Sequence, residues 1–224
     1  MTKSPFFRYG SVVLLAFCLI QLLWWLFPGL CSIWDLQVED QVMRFAYERQ
    51  TLRPVNPDIV HIDLDDQSIS SLIYDKNDPR LYTELIRVLK KTGVKAVLVD
   101  MVFPYCRKER EVYCDAFADE ISNSGNIFFP VILSNSEPQN EKNQQNNGIT
   151  SAKQSIWNIS GTQVFDLKHG EVTMANLESI NMAAAGLGHI NSPPDRDGVY
   201  RRLPLIIKTG NGLIPSLALK AISG

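Results

Sequence analysis

Four carboxylates stand at the ends of two apolar runs. Ile59, Val60, Ile62 and Leu64 interleave with and run into Asp63, Asp65 and Asp66, and Val94, Ala96, Val97, Leu98 and Val99 run into Asp100. As parallel strands of one sheet, the two runs would deliver these acids to the same carboxyl edge, where open α/β sheets bind ligands. Alternation along the first strand puts Asp63 and Asp65 on one face and Leu64 and Asp66 on the other. Carboxylates converging there repel each other. A divalent cation would relieve that repulsion, and without one a carboxyl would hold its proton more tightly. The same acids also have a structural use, since an acid just past a strand caps the next helix and accepts its free amides. Asp66, before residues 67–72, fits that use.

The other reactive side chains give a thinner set. His61, His169 and His189 are scattered without metal-ligand spacing and read as structural. No G-x-S-x-G, H-E-x-x-H or Walker glycine loop occurs. Asp63-Leu64-Asp65 resembles the paired acids of phosphatases built on an aspartyl nucleophile, but Gln67 stands where Thr or Val is expected. Arg201 and Arg202 alternate faces at a predicted strand start, so one of them can point inward at Asp100 or Asp63; Arg201 is the candidate. It either forms a buried arginine–carboxylate pair or reads an anion. Cys106 and Cys114 share a charged loop predicted to face an oxidising compartment, and a disulfide there would contribute ~2 kcal/mol or more by restricting the unfolded loop. Two free thiols are the alternative. Cys18 and Cys31 are assigned no role.

The acids need a frame. Between the two runs, Leu81, Leu85, Ile86 and Leu89 recur on one helical face. Asp78 is placed to cap that helix, with Pro79 at its first position and Gly93 beyond its end. Residues 57–103 therefore read as a parallel βαβ crossover. Asp115 is expected to start a second helix that stops at Gly125. A third strand over 126–133 carries Pro130, which suggests a bulge or an edge position. Residues 134–155 are almost devoid of large apolar side chains and read as an exposed, mobile insertion. A small-residue helix over 177–187, a strand over 199–208, a tight turn over 208–212 and a last helix opening at Pro215 complete the pattern. The fold class is α/β with a mostly parallel sheet.

In front of this lies a different texture. Residues 11–30 carry no charge, and Gln21 is their one strongly polar side chain. At ~1.5 Å per residue they span the ~30 Å hydrocarbon core of a bilayer. Tyr9, Trp24 and Trp25 suit the interfaces. A cleavable signal peptide fits poorly, because Leu30 before Cys31 is large where a small residue is wanted. A buried core helix would rarely be apolar on every face. Lys3 and Arg8 precede the segment and Asp35, Glu39 and Asp40 follow it, so the positive-inside rule puts residues 1–10 in the cytoplasm and everything after Cys31 outside. Residues 31–56 read as a juxtamembrane connector, a helix capped by Asp35 and closed by Pro54, with residues 57–224 as the outer domain. The chain has 224 residues, 22 Lys and Arg against 24 Asp and Glu, which gives no reason to expect nucleic acid.

With these pieces in order, the chain resembles a known family. An N-terminal anchor is followed by P-D-I-V-H-I-D-L-D-D-Q-S-I, D-P-R, G-V-K-A-V-L-V-D-M-V-F, G-L-G-H-I-N, D-R-D-G-V-Y-R-R-L-P-L and P-S-L-A-L. The series is similar to the second class of CHASE sensor domain, and D-x-D-G-V-x-R-R is its most specific part. The family commonly has a W-P-W-like segment before its D/P-x-R element, and residues 72–79 contain no Trp. The resemblance implies an extracytoplasmic sensor, a single N-terminal transmembrane helix followed by an α/β sensor domain. It adds Arg80, in D-P-R, to the candidate ligand-binding set. It implies no cofactor and supplies no ligand.

The expected function is signal sensing at a bacterial inner membrane, as the front of a longer polypeptide with a cyclase, diguanylate cyclase or kinase output. Its expected partners are the membrane, an unidentified extracellular small molecule or protein, and a second copy met through the anchor and juxtamembrane helix. Two other readings stand beside it: a metal-assisted extracytoplasmic hydrolase using Asp63, Asp65 and Asp100, and an envelope scaffold.

Overall fold

A computed structural model of the chain describes residues 5–49, 56–71, 73–75, 78–134, 143–157, 167–210 and 212–223. It divides into two compact units, residues 1–63 with 196–199, and residues 64–195 with 200–224.

The first unit is dominated by two helices. α1 (Pro5–Leu26) is apolar on every side, and the stretch Tyr9–Leu26 is long and apolar enough to cross a membrane. No side chain of that stretch is buried within the protein. The helix breaks at Phe27 (φ −129°, ψ 60°), and α2 (Pro28–Glu48) starts at once with Pro28, whose missing N–H costs nothing at a first helical position. The expected start at Asp35 is therefore corrected: the proline restarts the helix earlier, and Asp35 lies inside it. Pro54, the expected closing residue, lies outside the described residues.

Residues 57–64 form no strand among the described residues. Ile59 and Val60 are 64% and 77% exposed. The expected first strand, and with it the βαβ crossover through the following helix, is thus overturned. β-propensity only stabilises a strand where a ladder partner and a packed face exist, and three of the eight residues in this run are His or Asp.

The second unit builds its sheet one step later in the chain. After α3 (Asp66–Ser71) and α4 (Pro79–Lys91), β1 (Val97–Leu98) leads through α5 (Glu111–Ser124) to β2 (Ile127–Ser134), and β1 and β2 pair in parallel. Then come α6 (Asn143–Ala152), β3 (Glu171–Met174), α7 (Glu178–Ala183) and β4 (Gly186–His189). β2 pairs in parallel with β4 and antiparallel with β3. The sheet is mixed, which corrects the expectation of a mostly parallel one. A separate antiparallel hairpin, β5 (Ile206–Thr209) and β6 (Gly212–Pro215), precedes α8 (Leu217–Ser223).

Pro130 sits in the middle of β2, the strand with most partners, and not at an edge. The hydrogen bonds explain how. The carbonyls of Asn126 and Phe128 accept from Val97 and Val99 on the β1 side. Alternation turns Pro130 toward that same side, but β1 has ended there and β3 begins only opposite Ile132. In this gap the missing proline N–H breaks no ladder bond. The Pro130 carbonyl accepts from the Asn176 side chain at 3.0 Å.

The fully buried Asn176 ties several elements together. Its Oδ1 accepts from the Phe103 amide at 2.9 Å, while Asn181 donates to the Gly148 carbonyl at 2.8 Å and the Ser151 hydroxyl at 3.0 Å. The described half of the polar insertion is therefore structural, since Ile149, Ser151 and Ala152 of α6 are buried. Below the sheet, Tyr82, Phe103, Phe117 and Phe129 make edge-on aromatic contacts, Tyr82 to Phe103 at 5.0 Å and Phe103 to Phe117 at 5.3 Å.

β4 begins where the sequence suggested the end of a helix, and its glycines explain the change. A Cβ on Gly188 would lie 2.5 Å from the Leu217 Cα and 2.7 Å from its amide nitrogen, so only glycine lets β4 meet the start of α8. Gly188→Ala is expected to lower the unfolding free energy by about 2 kcal/mol, the scale of overpacking. Urea unfolding of the full chain in detergent micelles measures it; an unchanged midpoint would show that α8 does not pack there.

Candidate functional site

The strand expected to bring the four acids to one edge is absent among the described residues. Asp65 opens the second unit's first helix: its carboxylate accepts from the Ser68 amide at 2.7 Å, an N-cap three residues ahead. The Ser68 hydroxyl and amide together hold the Asp65 carboxyl below the usual carboxylate range. The capping residue is thus Asp65 and not Asp66, which is the first residue of α3. Asp63 belongs to the other unit. Asp100 is exposed on the loop after β1. Among the described residues, no three His, Cys, Asp or Glu side chains form a group able to hold a metal ion. With one predicted strand absent, the common edge that was to collect these acids is absent too.

Arg201 does not take the expected inward partner. Its guanidinium lies 3.3 Å from Asp195, and Arg202 reaches the same carboxylate at 2.9 Å. Arg201 is nearly buried, with 8% of its side chain exposed. Asp195, six residues earlier in the chain, supplies a counter-charge. No strand covers 199–205, and β5 begins only at Ile206.

Arg80 is the candidate that the structure surrounds with partners. Asp78 caps α4 by accepting from the Arg80 amide at 3.0 Å. The same carboxylate takes a fork from the Arg80 side chain, Nε to Oδ1 at 3.0 Å and Nη2 to Oδ2 at 2.7 Å. A second guanidinium, Arg110, approaches Oδ2 at 3.3 Å. Arg80 also lies over two rings, 4.6 Å from the centre of Tyr74 and 4.5 Å from that of Tyr113. Arginine can do this because its cation is planar and weakly hydrated. The Arg80 hydrogen bond, against the cost of burial, holds the Asp78 carboxyl below the usual range. Asp78 in turn makes the Arg80 proton harder to remove.

Two helices and one loop position these groups. Arg110 precedes α5 and Tyr113 lies in its first turn, and Cys114 is bonded to Cys106 with Cα atoms 6.5 Å apart. α4 and α5 run side by side in the same direction: their starts meet at Asp78, and further along Arg87 bonds Glu120 at 2.9 Å and Lys90 bonds the Asn123 carbonyl at 2.9 Å. Nearby, burial and then the Asp75 charge raise the Tyr82 phenol above its usual value. Sequence reasoning had Asp78 only as a cap. D-P-R was the available signal, because an arginine at the second helical position can fold back on a capping acid.

A CHASE2 domain family model matches residues 12–223. The chain belongs to the CHASE2 domain family. No curated protein and no solved structure matches it. CHASE2 domains are extracellular sensor domains, so a sensing role is what this membership carries. The CHASE2 match takes in most of α1 as well as both acids-and-helix segments, and the Asp78–Arg80–Arg110 cluster lies well inside it.

One buried titratable group stands apart from the cluster. His189, at the end of β4, is fully buried, and neither ring nitrogen has a hydrogen-bond partner among the described residues. Burial lowers its pKa from 6.5 to about 4. Between those values the unfolded chain binds a proton that the folded chain refuses, so stability is retained above the upper value and lost as pH falls through the window. The expected loss is about 3 kcal/mol by pH 4. Urea titrations of the wild-type chain and His189→Leu across this range measure it, and equal slopes in the two proteins would contradict it. At the cluster, Asp78→Ala removes a cap and leaves two cations without their buried acid. It is expected to cost about 3 kcal/mol, whereas Asp66→Ala, with no capping bond to lose, should cost well under 1 kcal/mol on the ordinary surface scale.

Proposed function

We propose that this chain is the sensing portion of a bacterial inner-membrane receptor, with α1 as its anchor, the N-terminus in the cytoplasm and the second unit outside. The observation that carries the reading is the span of the family match. It begins at residue 12, within α1, and ends at residue 223. An apolar helix and a sensor domain thus belong to one matched segment, which is hard to reconcile with a helix that is cut off. Lys3 and Arg8 before the helix, against Asp35, Glu39 and Asp40 after it, favour this orientation.

An output of cyclase, diguanylate cyclase or kinase type belongs to the same reading. So does pairing of two copies along α2, where Trp34, Val38, Val42 and Phe45 are exposed at helical spacing. In this scheme a signal favours one arrangement of the receptor by its differential affinity for that arrangement. The candidate contact is the Arg80 cluster; the dispersed acids are not.

A phosphatase reporter that is active only outside the cytoplasm, fused after Ser223, tests the orientation. It is expected to be active in whole cells and to remain with the membrane fraction. An inactive fusion, with a cytosolic reporter at the same position fluorescing, would reverse the topology and remove the sensor reading with it. Release of the active fusion as soluble protein would mean that α1 is cleaved.

A further inference from the structure

The Arg80 guanidinium has three close neighbours and donors to spare. It lies over the rings of Tyr74 and Tyr113, and the edge carrying Nε meets Asp78. Yet 38% of the side chain is exposed. On the remaining edge Nη1 carries two N–H donors and Nη2 keeps one. None of these has a hydrogen-bond partner among the described residues. Tyr74 and Tyr113, whose rings lie under the same guanidinium, likewise spend no hydroxyl on a described neighbour.

Charge points the same way as geometry. One carboxylate, Asp78, serves two guanidiniums, Arg80 and Arg110. The starts of α4 and α5 add the positive ends of two helices at this place. Asp75, the nearby acid on the preceding loop, acts on the Tyr82 phenol, while the groups that stabilise the Arg80 cation are Asp78, Tyr113 and Tyr74. The cluster thus keeps a surplus of positive charge beside a pre-aligned planar donor pair. Such a pair matches the spacing of two oxygens on one carboxylate or phosphate.

We propose that the open edge of Arg80, with Arg110 and the hydroxyls of Tyr74 and Tyr113, is a binding site for an oxyanion, the carboxylate or phosphate group of a small ligand. Asp78 stays in place as the buried counter-charge that keeps the fork aimed outward. The proposal rests on the sensor reading for the ligand's purpose and not for its chemistry.

The test is calorimetric titration of the full chain in detergent micelles with acetate, with succinate and with inorganic phosphate, each against sodium chloride at matched ionic strength. Saturable binding of at least one oxyanion, at least tenfold tighter than chloride, is the expected result. Saturation by the carboxylates alone identifies a carboxylate ligand, and saturation by phosphate alone identifies a phosphate one. Arg80→Lys keeps the charge beside Asp78 and removes the fork, and should weaken binding at least tenfold. Should that variant not fold, Arg110→Gln carries the same test, with an expected severalfold loss and a smaller salt dependence. Oxyanions that bind no better than chloride overturn the proposal, as does tight binding that survives both substitutions. A cytosolic reporter in the topology experiment would sink the receptor reading and leave this result standing.

Discussion

A single buried carboxylate sets the geometry of the helical layer. The Asp78 side chain is 1% exposed and has to satisfy its oxygens within the protein. It does so with the amide of its own helix, the Arg80 fork and Arg110 from the neighbouring helix. An isolated buried charge would be costly; a shared one fixes where two helices begin. Once the starts of α4 and α5 are held, their parallel course follows, and it brings Arg87 to Glu120 and Lys90 to the end of α5. The aromatic set of Tyr82, Phe103, Phe117 and Phe129 then fills the space between these helices and β2. The Cys106–Cys114 bond closes the loop that supplies Arg110 and Tyr113, so the residues that grip Arg80 have a short tether.

The sheet obeys a similar economy. β2 has neighbours along both edges, and its one residue without an N–H falls where one edge is briefly vacant. Asn176 fills that vacancy from the side and links it to the β1–α5 connection through Phe103. Asn181 extends the same network to Gly148 in α6, where the Asn176 backbone comes too close for any side chain larger than hydrogen. A polar stretch with little apolar content can dock here because its contribution is hydrogen bonding to a buried partner, with Ile149 and Ala152 adding the apolar contact.

Several elements were legible in the sequence because their signals were local. Asp78, Pro79 and Gly93 marked the ends of α4, Gly125 the end of α5, and the apolar tract the membrane-competent helix. What failed depended on partners distant in the chain. Residues 59–64 had the alternation of a strand but no ladder neighbour, and Pro130 was read by its missing donor without knowledge of the gap that accommodates it. Gly186 and Gly188 looked like helix stops, and they belong to a strand that approaches α8 closely. For the site, the gathering of the acids rested on two parallel strands, one of which is absent among the described residues. Arg80 and Arg110 are far apart in the text and meet at one carboxylate, and Tyr113 lies against Arg80.

This last contrast bears on how a CHASE2 domain with such a cluster could respond to anything. A ligand cannot readily displace Asp78, because releasing a buried carboxylate from two guanidiniums leaves all three charges uncompensated. Ligand binding at this place must therefore add to the existing pairs. The groups such an anion would meet are the part-exposed Arg80 and the two tyrosine rings against it, with Tyr113 and Arg110 carried on the segment closed by the disulfide. A ligand with equal affinity for two arrangements of a receptor would bind without signalling. On the proposed reading, recognition rests on the arginine fork, and a response requires an arrangement for which the anion has the greater affinity.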